Sequence, residues 1–187
     1  MNKSIVLIFC LLIGLAGFGQ SEIEYQNKRL ISSLKKNNIS DYSLLEEISM
    51  AAFSIKPSET NGRFYKVSKN PEKSEVKYVF VGRVNSCRAG CCCNSVNISG
   101  NGESEYFDYF IFFDSAKTVR LVEVYNYEAT HGYEITAKGW LKQFVGFSGN
   151  KTLEVNKNID GISGATVSVF AITNDVQERT KLLKSIN

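Results

Sequence analysis

The sequence predicts an α+β fold, an antiparallel β-sheet with helices packed against it, and three observations carry that expectation. Glu75 to Val84, Tyr106 to Phe113 and Val119 to Tyr127 are rich in β-branched and aromatic residues, the composition of half-buried or buried strands. The last two are joined by Asp114-Ser115-Ala116-Lys117, a natural hairpin connection, so they are expected to be antiparallel neighbours. Finally, Ala165 to Ser185 places Val169, Ile172, Val176 and Leu183 at three-, four- and seven-residue steps. That spacing draws one apolar face along a long terminal helix. A sheet with helices laid against it is the two-layer solution such elements favour.

The elements follow in order. Met1 to Ser4 carries Lys3, Ile5 to Phe18 is uncharged and mostly aliphatic, and Gly17-Phe18-Gly19 closes the segment on small residues. Residues 1–19 therefore read as a secretory signal peptide, cut after Gly19, and the mature chain is expected in the periplasm or at the cell surface. A membrane-spanning helix needs about 20 apolar residues. This run is shorter and contains glycines, which favours the signal over an anchor. Cys10 follows bulky Phe9, where lipoprotein processing requires a small residue, so Cys10 is expected to leave with the signal.

Residues 20–74 read as a helical segment followed by loop. Ile23, Leu30, Ile31 and Leu34 lie near helical spacing, Asn37-Asn38 breaks the run, and Asp41 or Ser43 caps a second helical segment containing Leu44, Leu45, Ile48 and Ala52. Ser54 to Lys73 holds both prolines, Pro57 and Pro71, and Asn61-Gly62; it reads as loop with one short strand at Arg63 to Val67. Residues 75–187 form the principal domain. Within them, Ile135 to Phe147 carries Trp140, Leu141, Phe144 and Val145 at helical spacing.

Composition excludes some functions. A chain that is 43% hydrophobic and 12% aromatic has ample material for a core and no signature of disorder. The formal net charge is +3, Lys and Arg are scattered, and no basic stripe marks a nucleic-acid partner.

The stretch most directly tied to chemistry is Asp160-Gly161-Ile162-Ser163-Gly164-Ala165-Thr166, immediately before the terminal helix. As a structural junction it needs Gly161 and Gly164 for turns, with Ser163 as the helix N-cap. As an anion site it offers free backbone N–H groups at a positive helix end, with the Thr166 hydroxyl in the first turn. The residues alone leave both readings open.

The stretch resembles the D-x-x-S/T-G-A-T flavinylation motif of the FMN-binding domain family. That family includes the C subunit of the sodium-pumping NADH:quinone reductase and the G subunit of the Rnf complex. The likeness covers about Glu75 to Leu183 and is strongest in the last sixty or so residues. Glu128-Ala129-Thr130-His131-Gly132 stands where family members have a Glu-Thr-Pro-Gly-like loop, with Trp140 and Phe144 following at a similar spacing. The loop lacks the usual proline, and His131 stands near its place.

The resemblance implies covalent FMN, joined by a flavin transferase through its phosphate to the hydroxyl of Thr166. It implies that Asp160, Ser163, Gly164 and Ala165 form the transferase's recognition sequence and the phosphate cradle. Glu128, His131 and Trp140 become candidate cofactor contacts, with Tyr125 and Tyr127 as further rings able to provide a shelf for the flavin. It also implies an electron-transfer carrier without a catalytic residue of its own, exchanging electrons with a redox partner protein or a membrane-bound reductase. No acid–base constellation beyond His131 supports a separate small-molecule reductase.

Cys87-Arg88-Ala89-Gly90-Cys91-Cys92-Cys93 sets four thiols in seven residues. With Cys10 gone their number is even, which fits a disulfide joining Cys87 to one of the triplet in an oxidising compartment. A thiolate metal or iron–sulfur site at Cys87, Cys91, Cys92 and Cys93 is the weaker alternative, because consecutive cysteines cannot easily face one metal. Redox-active thiols remain a third reading. A rival for the whole chain follows: a secreted binding or structural module that recognises its partner through this cysteine loop and carries no flavin.

Overall fold

The computed structural model describes residues 21–53, 60–68, 74–86 and 105–186. The signal-peptide reading, both prolines and the cysteines from Cys87 to Cys93 lie outside them.

The fold is α+β. Five strands, β1 (Leu45–Glu47), β2 (Gly62–Val67), β3 (Tyr78–Asn85), β4 (Tyr106–Phe113) and β5 (Val119–Tyr127), form one sheet in the order β1-β2-β3-β4-β5, and every neighbouring pair is antiparallel. Helix α1 (Lys28–Lys36) packs on one face of this sheet, and α3 (Thr166–Ser185) packs on the other with the short helix α2 (Lys138–Leu141).

Two cores on opposite faces explain why β4 is buried at every position from Tyr106 to Phe113. Phe107, Tyr109, Ile111 and Phe113 point to the α3 side, where Val169, Ile172, Val176 and Leu183 meet them. Phe110 and Phe112 point to the α1 side, against Leu30, Leu34 and Ile39. Period-two alternation in a central strand thus becomes a continuous apolar run, since both faces are covered. Each fully buried phenylalanine contributes about 1.5–3 kcal/mol relative to exposure.

The expected strands β4 and β5 and the terminal helix form where the pattern places them. Asp114 closes the hairpin by accepting the Thr118 N–H on its side chain (2.9 Å), while Lys117 takes a positive φ. Helix α1 is capped by Asn27, whose Oδ1 accepts from Leu30 N–H at 2.8 Å, and it ends at Asn37, with Asn38 at φ +62°.

Two expectations are corrected. Asp41 does act as a cap, accepting from Ser43 N–H at 2.7 Å, but it opens only a 3₁₀ turn over Tyr42–Leu44. Leu45 to Glu47 is then strand, because β2 offers partners: Leu45 pairs with Val67 and Glu47 with Tyr65, and Ile48 N–H donates to Phe64 C=O at 2.8 Å. Long-range pairing outweighs local helical spacing here. Likewise, Ile135 to Phe147 is not one helix but a succession of short turns, Tyr133–Thr136, α2 and Lys142–Phe144. Ala137 is extended (ψ 119°) and divides the first two. Ile135, Leu141, Phe144 and Phe147 still reach the core, whereas Val145 is exposed.

A buried phenol gives the fold a pH limit. Tyr109 is fully buried and donates its hydroxyl to Asp175, which also pairs with Arg179 at 2.7 Å. Burial first, and the Asp175 charge second, push the Tyr109 phenol well above its ordinary value. Burial raises Tyr65 and Tyr125 as well. The folded state favours the neutral phenol, so this stabilisation is fully present below the unfolded value near 10 and is lost as pH rises beyond it. Tyr109 alone is expected to remove about 1.4 kcal/mol per pH unit above that point. Urea midpoints measured from pH 8 to 11 should fall steeply above 10, less so in Tyr109→Phe; a flat profile would contradict the assignment.

Candidate functional site

The segment before α3 is held by its backbone. Asn156, at φ +67°, turns the chain, and its N–H donates to Ile159 C=O at 2.7 Å while the Ile159 side chain enters the core. Asp160 is then clamped from both sides. Its N–H donates to Gln143 Oε1 (2.8 Å), and its C=O accepts from Trp140 Nε1 (2.9 Å). Gly161 sits so close to Asn156 that an added Cβ would lie 2.5 Å from Asn156 Oδ1.

Ser163 is not the N-cap. Gly164 takes φ +82°, Ala165 N–H donates to Ile162 C=O at 3.1 Å, and the cap is the buried Ala165, which offers no side-chain bond. The extra turn over Ile162–Ala165 moves the N-cap two residues, from Ser163 to Ala165. The first helical bond runs from Val169 N–H to Ala165 C=O at 2.9 Å, so the N–H groups of Thr166, Val167 and Ser168 precede the ladder. A capping side chain would stabilise α3 by about 0.5–2 kcal/mol. Its absence leaves these donors, and the positive end of a 20-residue helix, to an anion. Thr166 is exposed, and a Cβ at Gly164 would meet nothing within 4 Å.

A second segment is fastened to this helix end. Ser168 Oγ hydrogen-bonds Tyr127 Oη at 2.9 Å and Ser86 Oγ at 3.1 Å. Tyr127 Oη also donates to His131 C=O at 2.5 Å, and its ring stacks on Phe107 with centroids 5.7 Å apart. Burial raises the Tyr127 phenol, so it is a neutral donor at physiological pH. The latch therefore joins the end of β5, the 128–132 loop and the first turn of α3. Glu128 N–H donates to Tyr106 C=O (2.9 Å) and Thr130 N–H to Glu105 Oε1 (3.1 Å), completing the loop's attachment.

Two depressions meet at Thr166. One, of about 290 Å³, is lined by Val155, Asn156, Gly161, Ile162, Phe170 and their neighbours. The other, of about 130 Å³, is lined by Ser86, Glu105, His131, Gly164, Val167 and Ser168 among others. Ser163, Gly164, Ala165, Thr166 and His131 are thus brought together, while Asp160 lines neither depression. Trp140 reaches the site only through the Asp160 carbonyl and packs edge-to-face on Phe144, so it fixes the motif. Glu128 is exposed and lines neither depression. Tyr125 packs with Phe110 on the α1 face of the sheet, away from Thr166, and is no shelf for a ring there.

Sequence reasoning missed Ser86, Glu105, Gln143, Asn156, Ser168 and Phe170. Asn156, Ser168 and Phe170 flank the motif closely enough to be suspected; Ser86, Glu105 and Gln143 come from distant segments with no local signal. Among the described residues no cluster of His, Cys, Asp or Glu gathers to hold a metal, and no helix is long and apolar enough to cross a membrane.

Residues 104–181 match the family model of the FMN-binding domain. No curated protein matches the chain.

Proposed function

From the premise that residues 104–181 are an FMN-binding domain, we propose that this chain is an exported flavoprotein that holds FMN through a phosphoester to the Thr166 hydroxyl and serves as an electron carrier. The observation that carries the reading is the placement of Thr166. It is the exposed first residue of a long helix without a side-chain cap, at the point where two depressions meet.

The residues present fit the group. The N–H donors of the first turn of α3 face no competing capping side chain and suit a phosphate, and glycine at 164 leaves room beside it. Trp140 and Gln143 hold the Asp160 backbone, so the recognition sequence is offered to a flavin transferase in one conformation. The Tyr127–Ser168 latch keeps the 128–132 loop, with His131, beside the attachment point. When bound, FMN supplies one- and two-electron redox chemistry. The chain needs no nucleophile or general acid for that role, and its partners are a redox protein or a membrane-bound reductase. Export rests on residues 1–19.

The test is the intact mass of protein exported from a host with a flavin transferase, beside Thr166→Val. Valine and threonine have similar helix propensity, so the variant should fold normally. The expected result is an added FMN less one water in the parent and none in Thr166→Val. An unmodified parent, from a host that flavinylates a control protein, would end this reading.

A further inference from the structure

We propose that the isoalloxazine ring lies in the larger depression beside Thr166, stacked against the phenyl ring of Phe170. This rests on the attachment reading above and adds where the ring goes.

Size separates the two depressions. An enclosed cavity of about 150 Å³ holds a single benzene, so the open 130 Å³ depression on the His131 side offers three fused rings less room than its 290 Å³ neighbour. The 290 Å³ depression approaches the lower end of ligand-sized sites, roughly 300 Å³, and Val155, Ile162 and Phe170 lie in its lining beside Asn156, Ser163 and Thr166.

Helix geometry places Phe170 within reach. Residues 166 and 170 are four apart, on one face of α3, and a rise of about 1.5 Å per residue separates them by about 6 Å along the axis. A ribityl chain spans that distance. Phe170 is 45% exposed, although Val169 and Ile172 of the same helix are buried in the core and fix its rotation. The exposed face of Phe170 is therefore held open by the packing of its neighbours. Gly161, also in the lining, adds no side chain, and the Asn156 amide supplies polar groups for the hydrogen-bonding edge of a flavin.

The other rings near the motif are committed. Trp140 donates its N–H to Asp160 and packs on Phe144; Tyr127 stacks on Phe107 and ties down His131. Tyr133 is exposed but packs edge-on to Tyr127 and lines neither depression. Among the described residues, Phe170 is the aromatic side chain in the lining of either depression.

The experiment uses the flavinylated full chain and follows intact mass, flavin fluorescence and visible circular dichroism. Phe170→Trp brings an electron-rich quencher against the ring, so fluorescence should fall several-fold with the FMN mass unchanged. Phe53→Trp, at an exposed phenylalanine outside both depressions, should leave it unaltered. Phe170→Ala should keep the mass and lose most of the visible dichroism. Phe170→Trp as bright as Phe53→Trp, or Phe170→Ala with unchanged dichroism, would overturn the placement. A parent protein without the FMN mass overturns the attachment itself, a result that mass alone reports.

Discussion

Replacing Asp108 by alanine is expected to destabilise the fold by about 3–5 kcal/mol, the usual result of stripping one partner from a buried ion pair. Asp108 on β4 and Arg83 on β3 are register partners, both nearly inaccessible to water. The guanidinium binds the carboxylate through two bonds, Nε to Oδ1 at 2.6 Å and Nη2 to Oδ2 at 2.9 Å. It also donates to Ser21 C=O at 2.6 Å and lies over the Tyr106 ring, 3.7 Å from its centroid. Asn126 on β5 donates to the same carboxylate at 3.1 Å. The pair thus ties three strands to the first described residues of the chain. Asp108→Ala leaves a cation in a space built for a neutral pair. At about 2–4 °C per kcal/mol for a domain of this size, Tm should drop by about 6–20 °C. Arg83→Met with Asp108→Leu should lose less than Asp108→Ala alone, because no unpaired charge remains. Urea and thermal melts of the three proteins decide it, and Asp108→Ala within about 1 kcal/mol of the parent would refute the argument.

This ion pair also shows where sequence reading stops. Tyr106 to Phe113 and Val119 to Tyr127 were legible as strands because aromatic and β-branched residues crowd them and a turn joins them. The face that Asp108 meets depends on register with a strand more than twenty residues earlier, and no local pattern carries that. The same limit explains β1. Leu44, Leu45 and Ile48 lie at helical spacing, yet Leu45–Glu47 becomes strand since Val67 to Tyr65 is there to pair with it. At the site, the motif from Asp160 to Thr166 was visible through its glycines and its resemblance. Its supports were not: Trp140 and Gln143 act on the Asp160 backbone, which no side-chain pattern announces. Ser163 illustrates a subtler failure. A serine before a helix favours capping, but the positive φ of Gly164 inserts a turn and leaves the cap to Ala165.

Gly132→Ala is expected to destabilise the fold by about 2–5 kcal/mol and to reach the cofactor site from a distance. Gly132 has φ +92°, a conformation that costs an L-residue about 1–2 kcal/mol. The added Cβ would also lie 2.6 Å from Ser168 Oγ and 2.8 Å from Tyr127 Oη. Those two oxygens are the latch, so the methyl is accommodated by parting them, and loss of this bond at the buried Ser168 hydroxyl costs about 1–3 kcal/mol more. The 128–132 loop would then lift from the first turn of α3, taking His131 away from Thr166. Tyr127→Phe removes one hydroxyl and keeps the ring on Phe107, so it should lose only about 1 kcal/mol. The pair of variants separates backbone strain from the loss of a bond. FMN incorporation, followed by intact mass over time, should slow in Gly132→Ala and far less in Tyr127→Phe. A Gly132→Ala protein that melts with the parent would mean the loop tolerates the methyl and the latch holds nothing. One that is unstable yet takes up FMN at the parental rate would confine the latch to the fold and leave Thr166 independent of it.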